Sequence, residues 1–165
     1  MRLRFVYLFF VLNICSKAQT GDPKATATLY FADHKSKNKM NALILKSFAT
    51  LEDAKKIFIK TEDAVQFMKL MEGTEKKMKE QQIGADTDYP TVEINTFTIK
   101  DIQEDKAHFN LGLLEIINKF KPNVRFFTVK LTTGNEFEPG FSYIYWMHIN
   151  NKWVFISKPN LAFRK

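Results

Sequence analysis

The spacing of apolar residues changes character near residue 90 of this 165-residue chain. Before that point apolar positions recur at three and four residues, the period of a helix with one buried side. After it they fall in runs rich in Val, Ile, Thr and Phe, the composition of strands. Thr50, with Asp53 three residues on, reads as a capping box that opens a short helix over 51–59. Ala54, Ile57 and Phe58 lie along one side of it. Thr61 reads as a second N-cap, with Glu62 and Asp63 in the first turn, where the helix dipole favours acids. Ala64, Phe67, Met68, Met71 and Met78 then repeat at helical spacing, and Glu72–Lys76 and Glu75–Lys79 are spaced to pair on the outer face. Gly84 ends the pattern. A methionine stripe of this kind serves either as an adaptable binding surface or, more commonly, as core.

Residues 19–27, with Gly21, Asp22 and Pro23 as breakers, read as a mobile N-terminal segment. Within 28–48 two apolar runs flank a polar stretch, and Leu43-Ile44-Leu45 reads as helix. Val92 to Ile102 reads as a strand. The polar run Gln103 to Lys106 reads as a turn, and 107–118 as a further strand on the alternation of Ala107, Phe109, Leu111 and Leu113, although Phe109, Leu113, Ile116 and Phe120 also fit a helix. Val124 to Thr133 reads as a strand, followed by a loop from Gly134 to Gly140.

The strongest local signal is a hairpin of Phe141–Ile149 and Trp153–Ser157 around Asn150-Asn151, two residues that tolerate positive φ. A two-residue loop sets Ile149 against Lys152, His148 against Trp153, Met147 against Val154, Trp146 against Phe155 and Tyr145 against Ile156. Alternation puts Ile144, Trp146, His148, Trp153 and Phe155 on one face, and Tyr143, Tyr145, Met147, Val154 and Ile156 on the other. Both faces are apolar, so the hairpin is expected to be covered on both sides, or covered on one and used on the other. Helices followed by a meander predict an α+β fold: N-terminal helices on one face of a curved antiparallel sheet of four to five strands, with 28–165 as a single domain.

The first eighteen residues change the picture of compartment. Arg2 and Arg4, an apolar run from Phe5 to Ile14, and Ser16-Lys17-Ala18 have the three-part build of a secretory signal peptide, cleaved before Gln19. The run is too short for the roughly 20 residues that span a bilayer, and Ile14 is too large for the position before a lipidated Cys15. The expected location is the periplasm or the medium. Cleavage removes the only cysteine, which excludes thiol chemistry, disulfides and Cys-ligated metals. It also removes three basic residues and no acid from a formal +7, leaving +4. The lysines are scattered among acids, as in Glu75 to Glu80, which argues against a nucleic-acid face.

Reactive constellations are sparse. His34, His108 and His148 lie far apart with no metal-ligand spacing. His148 stands out, because the hairpin register sets it beside Trp146 and Trp153. Asp86-x-Asp88 fails as a calcium loop at Tyr89-Pro90. Asp101/Glu104/Asp105 fit a solvated turn, Glu136 and Glu138 flank Phe137 in a loop, and no serine has a nucleophile-elbow context. No phosphate-binding glycine loop is present, and no metal or cofactor is implied. Tyr143, Tyr145, Trp146, Trp153 and Phe155, with His148, are the candidate ligand-binding set: aromatics that line an apolar pocket or fill a disulfide-free core.

The element order over residues 40–158, closing on the hairpin segment Asn151-Lys152-Trp153-Val154-Phe155, resembles the cystatin-like and nuclear-transport-factor-two-like folds. The resemblance implies a curved sheet around a helix and a cone-shaped pocket, and it brings no catalytic residues with it. Three functions follow. The first is an exported, non-catalytic binding or accessory domain, monomer or homodimer, holding a small apolar ligand or a protein partner against Trp146, His148 and Trp153. The second is a small isomerase or dehydratase with His148 moving a proton beside Asp101 or Glu136. The third is a mildly basic protein seated on an anionic envelope polymer.

Overall fold

A computed structural model describes residues 21–80, 87–135 and 140–164. The segment 1–18 expected to be a leader, with Gly84, Asp86, Glu136, Glu138 and Pro139, lies outside the described residues.

The segment expected to be mobile opens instead with a helix. Asp22 caps α1 (Pro23–Phe31) by accepting the Lys24 N–H at 3.0 Å, and Pro23 occupies the first turn, where its missing N–H costs nothing. Two of the three breakers, Asp22 and Pro23, are thus a start signal. A second helix, α2 (Lys37–Lys46), is capped by Ser36 and includes the apolar run at 43–45. The capping box at Thr50 and Asp53 opens α3 (Leu51–Ile57). Thr61 begins α4 (Thr61–Glu80), whose inner side carries Ala64, Phe67 and Met71 in the core with Met68 and Met78 half-buried. The methionine stripe is packing.

Strand β1 (Thr91–Thr98) is shorter than the run that predicts it, because Thr98 and Asp101 form a second capping box that starts α5 (Ile99–Glu104). The strand expected over 107–118 is absent. A 3₁₀ turn (Lys106–His108), helix α6 (Leu111–Ile116), capped by Asn110, and another 3₁₀ turn (Ile117–Lys119) occupy it. Strand alternation would bury Leu111 with Leu113, yet Leu111 is 77% exposed and Leu113 is 1% exposed. Leu113, Ile116 and Phe120 follow the helical spacing into the core.

Strands β2 (Arg125–Thr132), β3 (Phe141–Ile149) and β4 (Lys152–Phe155) complete one antiparallel sheet in the order β1-β2-β3-β4. The hairpin register is as expected from Ile149↔Lys152 to Trp146↔Phe155. Asn150 and Asn151 take φ of 50° and 59°, and the Ile156 N–H donates to Tyr145 O beyond the last pair. One correction concerns the far end of β3. Phe127 pairs with Trp146 but Thr128 with Ile144, so Tyr145 is an extra residue in a bulge. The bulge resets the alternation, sending Tyr143 and Ile144 to the faces opposite those expected.

Helices cover both faces of the sheet, not one. Toward α1 and α2, Phe31, Met40 and Ile44 meet Ile94, Phe127, Val129, Leu131, Trp146, Trp153 and Phe155. Toward α3, α4, α5 and α6, Phe58, Phe67, Ile102, Leu113 and Phe120 meet Phe126, Tyr145, Met147, Val154 and Ile156. Phe48 touches both cores and bridges Phe155 in parallel, with the Phe155 N–H donating to Ser47 O at 2.6 Å, so the β4 edge is covered at its C-terminal end. Among the described residues no helix is long and apolar enough to cross a membrane.

Candidate functional site

Of the six candidate residues, Tyr143, Trp146, Trp153 and Phe155 lie in the α1-side core, Tyr145 lies in the opposite core, and His148 is exposed beside Trp153. Trp146 is fully buried, between the Phe31 ring at 4.9 Å and the Phe155 ring at 5.1 Å. Its indole N–H has no hydrogen-bond partner among the described residues. Phe155 is buried against Phe48 and Trp146. Trp153 keeps 7% of its surface, with Tyr30 stacked on it at 5.4 Å and Phe31 and Phe127 set edge-on. Tyr143 is half-buried at the α1 side, while Tyr145 lies in the opposite core, where burial pushes its phenol above the ordinary value. Only His148 is exposed, tilted over Trp153 at 4.9 Å. The sheet face expected to hold an apolar ligand is filled by α1 and α2.

Two open grooves adjoin at His148. The first, of about 390 Å³, has Lys56, Lys121, Asn123, Arg125 and His148 around a floor of Ile57, Val124, Met147 and Ile149. The second, of about 440 Å³, shares Arg125 and His148 and runs past Phe127, Trp153, Asn151 and Thr26 to the start of α1 at Pro23. Among the described residues no carboxylate lines either groove.

The fold assembles this basic rim from three distant segments. Chain 57–59 lies against 119–121: Ile59 N–H donates to Lys119 O at 2.8 Å, Lys121 N–H to Ile57 O at 2.9 Å, and Phe58 bridges Phe120. This sets Lys56 beside Lys121. The Lys121 ammonium donates to Lys55 O at 2.8 Å, offsetting the negative carbonyl end of α3 at the groove wall. Arg125 is the first residue of β2, and His148 lies near the end of its neighbour β3. Arg125 also helps hold the Asp101 carboxyl below its ordinary range, after the hydrogen bonds from Thr98.

Of the two acids that sequence offers as proton-transfer partners, Asp101 is committed to its own helix cap. Asp101 accepts the Thr98 N–H at 2.7 Å and hydroxyl at 2.8 Å. Asp105 meets His108 Nδ1 at 2.6 Å on an exposed turn. Glu136 lies outside the described residues. His34 stacks on Tyr30 at 6.0 Å, remote in sequence from both other histidines. No group of three or more His, Cys, Asp or Glu among the described residues is placed to hold a metal. Sequence reasoning finds His148 through the hairpin but misses Lys56, Lys121 and Arg125. The one available signal is Lys121-Pro122-Asn123-Val124-Arg125, two cations four apart at the start of a strand.

Fold and surface together define a class: an α+β fold whose antiparallel sheet has helices on both faces and which carries a basic groove beside the β3–β4 hairpin. No protein family, curated protein or solved structure matches the chain.

Proposed function

We propose that this is an exported, non-catalytic binding or accessory domain that engages its ligand or partner across open surface at the end of the β3–β4 hairpin. The supporting observation is the contrast between the two sides of Trp153. Toward α1 the aromatic face is filled; toward His148 and Arg125 two grooves open with no carboxylate among their described lining residues. Among the described residues no carboxylate lines the grooves beside His148, so the histidine–acid pair that the isomerase or dehydratase reading calls for has no support there. Export rests on the leader-like start, and the element order keeps the cystatin-like and nuclear-transport-factor-two-like resemblance as part of this reading.

The test is an NMR titration of the isotope-labelled domain with host-cell extract and culture medium, each split by molecular size. Amide shifts concentrated at 121–126 and 147–152 are expected. Shifts centred on Trp146, Phe155 and Tyr143 would restore an interior pocket and overturn the proposal, as would the absence of any shift.

A further inference from the structure

We infer that the groove beside Arg125 holds a phosphoryl group, and that the adjoining groove takes the hydroxyl-bearing body of a small sugar phosphate. The inference rests on the surface reading above and names the ligand for it. Lys56, Lys121 and Arg125 are brought around one groove of about 390 Å³ whose described lining contains no acid. Nearby cations elsewhere are neutralised: Lys152 reaches Asp53 at 2.7 Å and Lys119 reaches Asp63 at 2.7 Å. A compact dianion relieves the repulsion of Lys56 and Lys121, and Arg125, which the Asp101 carboxylate partly balances and whose Nη1 donates to Thr96 Oγ1 at 3.5 Å, keeps further guanidinium donors that suit phosphate oxygens. Lys121 gives one donor to Lys55 O and retains two.

The second groove decides what the phosphate is attached to. Its two large aromatic members, Phe127 and Trp153, are buried, and Trp153 is stacked on by Tyr30 and crowded by His148, Phe31 and Phe127. A nucleobase or other flat ring therefore finds no indole or phenyl face to stack on, only the small exposed imidazole of His148. Thr26 and Asn151 instead line the groove with polar atoms suited to hydroxyls.

Thermal-shift and calorimetric titrations at matched ionic strength test this with inorganic phosphate, glucose 6-phosphate, glucose and chloride. Glucose 6-phosphate is expected to bind more tightly than inorganic phosphate, with glucose and chloride giving no shift. Lys56→Gln with Arg125→Gln, both exposed positions, is expected to weaken binding at least about tenfold with unchanged circular dichroism. Lys69→Gln, on the exposed face of α4, is expected to leave it intact. An equal response to chloride, or a phosphate response that survives the double variant, overturns the site. Co-sedimentation with phosphatidylglycerol but not phosphatidylcholine vesicles, without binding of glucose 6-phosphate, overturns the soluble source in favour of a lipid headgroup. Extract-induced shifts at 121–126 and 147–152 without any phosphate response refute the phosphoryl assignment alone; their absence refutes the surface reading as well.

Discussion

Asp53 concentrates more of the fold's polar bonding than any other described carboxylate. It accepts the Thr50 N–H at 3.0 Å, the Thr50 hydroxyl at 2.7 Å and the Lys152 ammonium at 2.7 Å, and is almost fully buried. Burial pushes its carboxyl up, but the Lys152 and Thr50 bonds outweigh that and hold it below the ordinary range. Asp53→Ala is expected to cost about 1–3 kcal/mol at neutral pH, the sum of a lost cap and lost charge-assisted bonds. Since the folded carboxyl titrates below the unfolded one, the contribution is complete above about pH 4 and drains away as pH falls through the lowered folded value. Urea unfolding of both proteins along a descending pH series should show the gap close in acid. A gap independent of pH would show that the ionised contact contributes nothing. Half of this arrangement is legible in sequence. Thr50-x-x-Asp53 is local and announces itself before an apolar run. Thr98-x-x-Asp101 has the same spacing but follows a strand, so Asp101 passes for a solvated acid. The Lys152 partner lies 99 residues from Asp53, beyond any local pattern.

At the level of elements, the hairpin is legible because turn chemistry and alternation agree. Asn150 and Asn151 both take the positive φ that a two-residue loop between right-twisting strands demands. Asn150→Ala is expected to destabilise by about 1 kcal/mol and Asn150→Gly to be neutral or stabilising; denaturant midpoints of the pair decide it. The segment 107–118 is misread for the opposite reason. Two periods fit its apolar residues, and only the buried neighbours of α6 select between them. Leu113→Ala should cost about 2–5 kcal/mol, whereas Leu111→Lys should stay within about 0.5 kcal/mol. Equal costs would return the segment to a strand. The bulge at Tyr145 is invisible in sequence because nothing in Ser142 to Trp146 marks an extra residue. Its consequence is that Tyr143 and Ile144 exchange faces. The basic rim is invisible for another reason: Lys56, Lys121 and Arg125 meet only through the pairing of 57–59 with 119–121.

Across the whole molecule, a sheet with helices on both faces sets two cores back to back, sharing strands but few side chains. The strands join them residue by residue. Phe126, Met147 and Val154 enter one core while their chain neighbours Phe127, Trp146 and Trp153 enter the other. Loss of either layer therefore unseats the same backbone, and the two cores are expected to unfold as one. The chain supplies its own probes. Its two tryptophans, Trp146 and Trp153, both lie in the α1-side core, whereas four of the six described α-helices pack on the opposite side. Tryptophan fluorescence thus reports one core, and far-ultraviolet circular dichroism chiefly the other. Their urea transitions should coincide. Phe31→Ala, which removes the α1 ring packed on both indoles at 4.9 and 5.1 Å, should lower stability by about 3–5 kcal/mol and move both transitions together. If fluorescence moves alone while circular dichroism keeps its midpoint, α1 is a separately stable cover, and the aromatic face beneath it returns as a site that a ligand reaches when the cover lifts.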